Sequence, residues 1–331
     1  MNIGSVEKLL GKLSDINVLV LGDVGIDSYI LGNVKRISPE APVPIVEVYD
    51  NYNRLGLSAN VVSNVRALGA KCRLVGVVGD DDNAELIKKD LIKIGVDTDG
   101  LVVDKDRPTT HKTRVLASRL QHVVRIDRED KSHISDRIKN QVVEKVEKFM
   151  GEADVVVIED YGKGLLKSGV ASDVISMCKK HGKRVFVDPS RHTDAMLYKN
   201  ATLLKPNFDE AIILSGMDIE GEKALYECGM TLMKKLSLEY LVITRGKEGM
   251  TVFTKDAEPK TIPTFALEVY DVSGAGDTVI AALALAHSSG LNIYESAFFA
   301  NTAAAIVVGK VGTSVASPSE IMEFLKEHST R

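Results

Sequence analysis

The chain has 331 residues, of which 44% are hydrophobic and 27% are charged, and a formal net charge of −4; this is the composition of a globular protein with a large core, without the basic surplus of a nucleic-acid-binding protein. The three cysteines have neither the even number of a disulfide framework nor the spacing of a metal site, which fits a reducing compartment. No signal peptide is visible and no apolar run reaches the roughly 18 residues of a membrane span, so we expect a soluble, cytoplasmic protein that binds neither nucleic acid nor membrane.

Short apolar strands alternate with amphipathic helices along most of the chain. The apolar pattern predicts strands at 16–21, 71–78, 154–158, 184–187, 201–204 and 240–244, and helices at 60–68, 81–94, 165–180 and 221–236. Continuous apolar strands separated by helices indicate a mostly parallel sheet that is covered on both faces. We therefore predict an α/β fold in a single domain over residues 1–331.

Two stretches interrupt this alternation. Residues 43–49 alternate like a strand after a proline-rich entry, and residues 109–118 and 122–127 have the pattern of a hairpin. They predict a small antiparallel sheet, built from segments within about 29–50 and 98–127, that projects from the main domain. Beside a cleft, such a sheet would act as a lid or pair with a second chain.

A glycine-containing run, Asp271 to Thr278, precedes an apolar, alanine-rich stretch that is predicted to be helical. Gly274 and Gly276 allow the backbone to approach a ligand closely, and the first N–H groups of the helix would point at the same place. Asp277 lies in the first helical turn, where its carboxylate stays ionised and can take a proton from a hydroxyl beside a bound phosphate. Taken alone, such a loop is also compatible with an ordinary helix start.

This run resembles the signature of the ribokinase, or PfkB, family of carbohydrate kinases, Asp-Thr-x-Gly-Ala-Gly-Asp-Thr, with Val272 in place of the first threonine. The resemblance covers nearly the whole chain. It extends, in the family's order and spacing, to Gly22-Asp23 with Asp27, Gly56 to Asn60, Lys205 to Glu210, and Thr244 to Gly249. It implies a ribokinase-like, three-layer α/β/α fold and phosphoryl transfer from ATP with Mg²⁺.

The resemblance also implies roles for individual residues. Asp277 would be the catalytic base, and Gly274, Ala275 and Gly276 would form the anion hole for the transferred phosphoryl group. Glu210 would help to hold Mg²⁺, through water, and Asp271 lies where some family members bind a monovalent cation such as K⁺. The implied nucleotide-binding residues are Lys205, Asn207, Glu210, Thr244, Gly246 and Asn301. The simpler alternatives are a helix-start carboxylate for Glu210 and a packing residue for Asn301.

The acceptor sugar is indicated by other segments. The stretch Arg36 to Val46 resembles the bacterial heptose 7-phosphate kinases of this family, as do residues 107–110, 125–127, 160–164 and 311–314. This likeness implies transfer to the anomeric hydroxyl of D-glycero-β-D-manno-heptose 7-phosphate. The implied substrate-binding residues are Asp23, Asp27, Asn60, Gln121, Arg125, Asp160 and Lys163. Carboxylate and amide groups suit sugar hydroxyls, and the two cations suit a phosphate. Alternatively, Lys163 caps a solvated loop and Arg125 pairs with Asp127.

Three positions depart from the heptose kinases, which usually have arginine at Ser28, glycine at Leu57 and lysine at Ser190. A kinase for another sugar, a sugar phosphate such as fructose 1-phosphate or tagatose 6-phosphate, or a nucleoside therefore remains an alternative. A non-catalytic regulator that binds sugar or nucleotide is a remote one. A dinucleotide-dependent oxidoreductase is disfavoured, because no Gly-x-Gly-x-x-Gly turn follows the first strand.

Two expectations about assembly follow from the same resemblance. Bifunctional family members carry a nucleotidyltransferase domain, and the chain ends at Arg331, too early for one, so we expect a kinase domain by itself. We also expect a homodimer that forms through the β lid.

Overall fold

The computed structural model describes residues 3–117, 121–265, 272–310 and 312–328. The strands are β1 (Asn17–Gly22), β2 (Val24–Ile37), β3 (Pro44–Leu57), β4 (Lys71–Val78), β5 (Leu101–Val103), β6 (Thr110–Leu116), β7 (His122–Arg128), β8 (Val155–Glu159), β9 (Arg184–Asp188), β10 (Leu203–Leu204), β11 (Tyr240–Thr244), β12 (Met250–Thr254) and β13 (Lys260–Ile262). The helices are α1 (Ile3–Leu10), α2 (Ser58–Ala67), α3 (Asp82–Lys93), α4 (Asp136–Met150), α5 (Val170–Lys180), α6 (Phe208–Ser215), α7 (Gly221–Leu236), α8 (Ala275–Ser288), α9 (Ile293–Val308) and α10 (Pro318–His328).

The central sheet has nine strands in the order β13-β12-β11-β10-β9-β8-β1-β4-β5. All strands from β11 to β5 in this order pair in parallel, and β12 and β13 add an antiparallel edge. Successive residues of β1 point to opposite faces, so that Val18 and Val20 lie in one hydrophobic core and Leu19 and Leu21 in the other. Helices α2, α8 and α9 cover the first face, and α4, α5 and α7 cover the second. The predicted three-layer α/β/α architecture is confirmed.

The six strands predicted for the main domain all form, with ends displaced by one or two residues at most. One predicted helix, over 165–180, is divided. Residues Leu166–Ser168 form a 3-10 turn, and α5 begins only after Gly169, whose φ of +84° lies in the left-handed region. Such a conformation ends one helical segment and starts another, because a right-handed helix cannot pass through it. None of the helices within the described ranges has both the length and the apolar character that crossing a bilayer requires.

A second, small sheet consists of β3-β2-β6-β7. The predicted hairpin is present as the antiparallel pair β6 and β7, and β2 pairs antiparallel with β3 but parallel with β6. The small sheet extends further than expected, because β2 begins at Val24 and β3 continues to Leu57. Strand β5, inside the predicted lid segment 98–127, belongs instead to the central sheet, where Val102 is buried beside β4.

Candidate active site

Chemically active side chains collect where the parallel strands end. Gly22 of β1 is the register partner of Glu159 of β8, which is in turn the partner of Asp188 of β9. Asp23 and Asp160 follow two of these strands directly. Parallel strands carry their carboxyl ends to one edge of a sheet, so residues that are far apart in sequence become neighbours there. This edge lies between the small sheet and α8.

Asp277 lies in the first turn of α8 and is only 4% exposed. Its two carboxylate oxygens accept short hydrogen bonds, at 2.6 Å from Asn60 Nδ2 and at 2.6 Å from the Tyr161 hydroxyl. Burial raises the pKa of Asp277 to about 6, while these two hydrogen bonds and the charge of Lys205 oppose the rise. The carboxyl is therefore ionised at neutral pH and basic enough to accept a proton.

The loop before Asp277 is held by its neighbours. Gly274 has a φ of +79°, and a Cβ atom there would lie 2.6 Å from Asn60 Nδ2. The Thr278 hydroxyl donates to Asn64 Oδ1 at 2.8 Å, and Asn64 Nδ2 donates to the Asn60 carbonyl at 2.9 Å. These bonds connect α8 to α2, so Asp277 and the glycine loop are held by one network. At the start of α8 the Ala275 N–H donates to the Val272 carbonyl of this loop at 3.2 Å, and the Thr278 N–H donates to the Gly274 carbonyl at 3.1 Å.

Lys205 provides the positive charge next to the loop. It is 2% exposed, and its Nζ lies 2.7 Å from Asp188 Oδ2. A Cβ atom added to Gly276 would lie 3.5 Å from the same Nζ, so Lys205 faces the predicted anion hole. Burial raises the pKa of Asp188 to about 6 and that of the neighbouring Glu159 well above its usual range. The predictions omitted Glu159 and Asp188, although each is an acidic residue at the end of a buried strand.

Helix α6 begins at a capping box. Asn207 Oδ1 accepts the Glu210 N–H at 2.9 Å, and Glu210 Oε2 accepts the Asn207 N–H at 2.9 Å. Burial, and then the charge of Asp188, raise the pKa of Glu210. The helix-start role of Glu210 is thus present in the structure, and it places this carboxyl near Asp188.

A cavity of about 580 Å³ lies on the other side of the glycine loop. Its lining includes the predicted residues Thr244, Gly246, Ala275, Gly276 and Asn301. Asn301 is buried and donates to the Pro263 carbonyl at 2.7 Å, so it also has the packing role considered as its alternative. Ala275, Gly276 and Val279 line this cavity, so it borders the same turn of α8 that carries Asp277.

On the side of the small sheet, the predicted carboxylates are buried and bonded to the protein. Asp23 Oδ2 accepts the N–H groups of Tyr161 and Lys163, at 3.0 and 3.1 Å. Burial and the nearby Asp160 raise the pKa of Asp23 to about 7. Asp160 accepts from the Tyr198 hydroxyl and the Gly162 N–H, both at 2.7 Å. Both aspartates therefore shape the loop after β8.

The predicted substrate-binding residues Lys163, Arg125 and Gln121 differ in burial and in their bonding partners. Lys163 Nζ lies 2.6 Å from Glu129 Oε2, and both side chains are largely buried. Arg125 makes two 2.9 Å hydrogen bonds to Asp127 and is 57% exposed, as its alternative interpretation proposed. Gln121 is exposed and directly precedes β7, and its backbone carbonyl accepts the Ala117 N–H at 2.8 Å. Asp271 lies outside the described residues.

Asp27 is bonded to a residue that the predictions missed. Arg114 of β6 donates to Asp27 Oδ1 at 2.7 Å. Lys112, two residues earlier, is the register partner of Asp27, and Gln121 lies beyond the far end of β6. The structure therefore brings Lys112 and Arg114 to Asp27, and it does not bring Gln121 there. The strand alternation of β6 is the signal that could have identified both cations.

Leu57, one of the departures from the heptose kinases, has a φ of +57° at the start of α2. Glycine favours this conformation, and a leucine adopts it only under backbone strain. The backbone at this position therefore has a conformation that glycine favours, although the residue carries a buried leucine side chain.

Comparison with solved structures identifies the class of fold. The chain aligns with a ribokinase from Arabidopsis thaliana, complexed with ribose and ATP, at a TM-score of 0.73 and 23% identity, over 94% of this chain and 99% of that one. It aligns with phosphofructokinase-2 from Escherichia coli, in complex with potassium, at a TM-score of 0.77 and 17% identity, over 95% and 99% of the two chains. The fold is ribokinase-like.

Sequence comparison identifies the family. The pattern of the pfkB family carbohydrate kinases matches residues 16–320. The chain belongs to this family and is a sugar kinase. It is 46% identical over 308 residues to the bifunctional protein HldE of Helicobacter hepaticus, covering 93% of this chain and 63% of that protein. With HldE of Pelobacter propionicus the identity is 42% over 97% of this chain. The chain spans about two thirds of the length of these relatives, at 63% and 66%.

We expect Tyr161→Phe to shift the pH dependence of catalysis. The lost hydroxyl stabilises the ionised form of Asp277, so the pKa of the base should rise by about 1 and the acid limb of kcat/KM should move upward. The profile would be measured from pH 5 to pH 9. Tyr226→Phe is the matched control, because Tyr226 lies on α7 and its ring packs against Phe253, away from Asp277. A uniform loss of rate with an unmoved acid limb would contradict this role.

Proposed function

We propose that this sugar kinase transfers the γ-phosphoryl group of ATP to D-glycero-β-D-manno-heptose 7-phosphate and forms the 1,7-bisphosphate. The observation that carries the proposed reaction is the position of Asp277, buried between Asn60 and Tyr161 at the glycine loop. The heptose is supported by the likeness of residues 36–46 and 160–164 to heptose 7-phosphate kinases, and by the 46% identity to HldE.

The proton and charge movements are assigned to this chain's own residues. Asp277 accepts the proton of the attacking hydroxyl, because it is the buried carboxylate aimed at the loop where the phosphoryl group is to sit. The N–H groups of Gly274, Ala275 and Gly276 and the ammonium of Lys205 stabilise the negative charge of that group. Asn60 and Tyr161 hold the base in place during the transfer.

ATP is proposed to occupy the cavity lined by Thr244, Gly246 and Asn301, with its phosphates directed towards Lys205 and Asn207. Proteins usually hold Mg²⁺ by one or two carboxylates, with water and substrate phosphates completing its shell. Glu210 beside Asp188 fits this pattern, and the described residues contain no larger cluster of metal-binding side chains. When bound, Mg²⁺ would neutralise charge on the β- and γ-phosphates. A K⁺ site at Asp271 remains part of the proposal.

The acceptor is tested with a panel of purified sugars. ATP turnover would be measured with heptose 7-phosphate, fructose 1-phosphate, tagatose 6-phosphate, unphosphorylated sugars and a nucleoside. We expect kcat/KM to be highest for the heptose 7-phosphate by at least tenfold. Turnover of another acceptor at a higher kcat/KM would replace the proposed substrate. Binding of sugar and ATP with no turnover of any acceptor would favour the alternative of a regulator.

The small sheet, proposed as a lid over the sugar, also exposes apolar side chains. Seven large hydrophobic residues are at least 39% exposed on it or at its edge: Val34, Ile37, Val43, Val48, Tyr49, Val124 and Ile126. Exposing these apolar side chains to water does not stabilise a single chain, whereas a bound partner would bury them. We therefore propose a homodimer that forms through this sheet. Sedimentation analysis of Ile126→Lys should show monomer where the wild-type protein shows dimer, and a wild-type monomer would overturn the assignment.

A further inference from the structure

Lys112 of β6 lies on the same face of the small sheet as the acceptor-side residues. It is the register partner of Asp27 on β2 and of Asp127 on β7, and register partners share a face. Its Nζ lies 5.3 Å from the centre of the Tyr161 ring. The hydroxyl of the same ring donates to Asp277. The ammonium group of Lys112 thus lies close to the catalytic base, on the side of the lid.

The charges around Lys112 do not balance. Arg114 pairs with Asp27 and Lys163 pairs with Glu129. Among the residues that the structure describes, no carboxylate forms an ion pair with Lys112, whose recorded close contact is the Tyr161 ring. Burial lowers the pKa of Lys112; the carboxylates of Asp27 and Glu129 oppose this effect, and the positive charges of Lys163 and Arg114 add to it. A largely buried ammonium group in this position is poised to bind an anion.

The sequence analysis named Arg125, and not Lys112, as a cation that would bind a phosphate on the substrate. Arg125 bonds Asp127 through two nitrogens and is 57% exposed, so it lies at the solvent edge of the small sheet. Lys112 is more enclosed and lies nearer to Asp277. The cavity proposed for ATP is lined by residues such as Thr244, Gly276 and Asn301, and Lys112 is not part of its lining. The position of Lys112 therefore suits an anion on the acceptor rather than the phosphates of ATP.

We propose that Lys112, together with Lys163, binds a phosphomonoester group carried by the acceptor sugar. This inference rests on the proposed function and refines it, since it assigns the recognition of the acceptor's phosphate to a residue of β6. A phosphate dianion supplies the negative charge that this group of cations lacks, and its oxygens accept charge-assisted hydrogen bonds from both lysines. Lys112 would then select phosphorylated over unphosphorylated sugars.

The test compares each sugar phosphate with the same sugar lacking the phosphate. D-glycero-D-manno-heptose 7-phosphate and D-glycero-D-manno-heptose would be assayed with the wild-type enzyme and with Lys112→Met. We expect kcat/KM for the phosphorylated sugar to fall about 10- to 100-fold, mainly through KM, with a much smaller change for the unphosphorylated sugar. Lys35→Met is the matched control, because Lys35 lies on the same sheet but is 69% exposed and pairs with Glu47. It should change neither value.

The outcomes separate this inference from the proposed substrate. Equal losses for both sugars would show that Lys112 serves the transferred group or the fold, and would overturn the inference. An unchanged preference in Lys112→Met would also overturn it. A wild-type enzyme that prefers another sugar phosphate, and loses that preference in Lys112→Met, would overturn the heptose assignment and support the inference. A wild-type enzyme without any preference for phosphorylated acceptors would overturn both. ATP binding and thermal unfolding of each variant would show that it is folded.

Discussion

Asp277→Asn is expected to lower kcat by about 10²- to 10⁴-fold, because the amide cannot accept the proton of the attacking hydroxyl. The amide is nearly the same size as the carboxylate, so ATP should still bind with an affinity close to that of the wild-type enzyme. Steady-state kinetics and calorimetric titration with ATP would measure the two effects. Asp136→Asn is the matched control, since Asp136 lies in the first turn of α4, exposed and away from the site. Turnover of Asp277→Asn at the wild-type rate would refute the assigned base.

The same residue links activity and stability to pH in opposite directions. The pKa of Asp277 is raised to about 6, so the base is active above this pH and kcat/KM should fall as the pH drops through it. The stability that protonated Asp277 provides is present at low pH and is lost as the pH rises through about 6. A pKa raised from 3.8 to about 6 corresponds to about 3 kcal/mol of lost stability at neutral pH. Thermal unfolding at neutral pH should therefore show Asp277→Asn to be more stable than the wild-type enzyme.

Gly274→Ala is expected to lower kcat by about 10²- to 10³-fold, the effect typical of disturbing an anion hole. The new Cβ would lie 2.6 Å from Asn60 Nδ2, which itself holds the base at 2.6 Å. Either the loop or Asn60 must move, and both positions matter for the transfer. The φ of +79° adds a backbone cost of roughly 1 kcal/mol for alanine.

The backbone cost is separated from the contact by a matched variant. Gly182→Ala changes a glycine with a φ of +65° where a Cβ would meet no atom within 4 Å. It should lose stability by a similar small amount and retain wild-type kcat. If Gly274→Ala had the same mild effect as Gly182→Ala, the close packing of the glycine loop against Asn60 would not be needed for catalysis.

Six parallel strands and several helices of the main domain could be read from the sequence, because buried parallel strands are continuous apolar runs and helices repeat every 3.6 residues. The antiparallel edge strands β12 and β13 were not predicted. The 3-10 turn before α5 could not, since Gly169 alone decides where the helical hydrogen bonds restart. The assignment of β5 was also out of reach. Its short apolar segment fits either sheet, and only burial of Val102 beside β4 decides between them.

The candidate site, too, could be predicted from the sequence only in part. The run from Asp271 to Thr278 indicated the class of chemistry through its resemblance to the family signature, and this was possible because the glycines, Asp277 and the helix start are contiguous in the chain. The partners of the base, Asn60 and Tyr161, come from α2 and from the loop after β8, and only the folded sheet brings them within 2.6 Å of Asp277. Likewise, Lys112, Glu159 and Asp188 carry no local motif. These residues become candidates only because folding brings charged groups from distant parts of the chain next to them. The tertiary structure, and not the local sequence, decides which charges are neighbours.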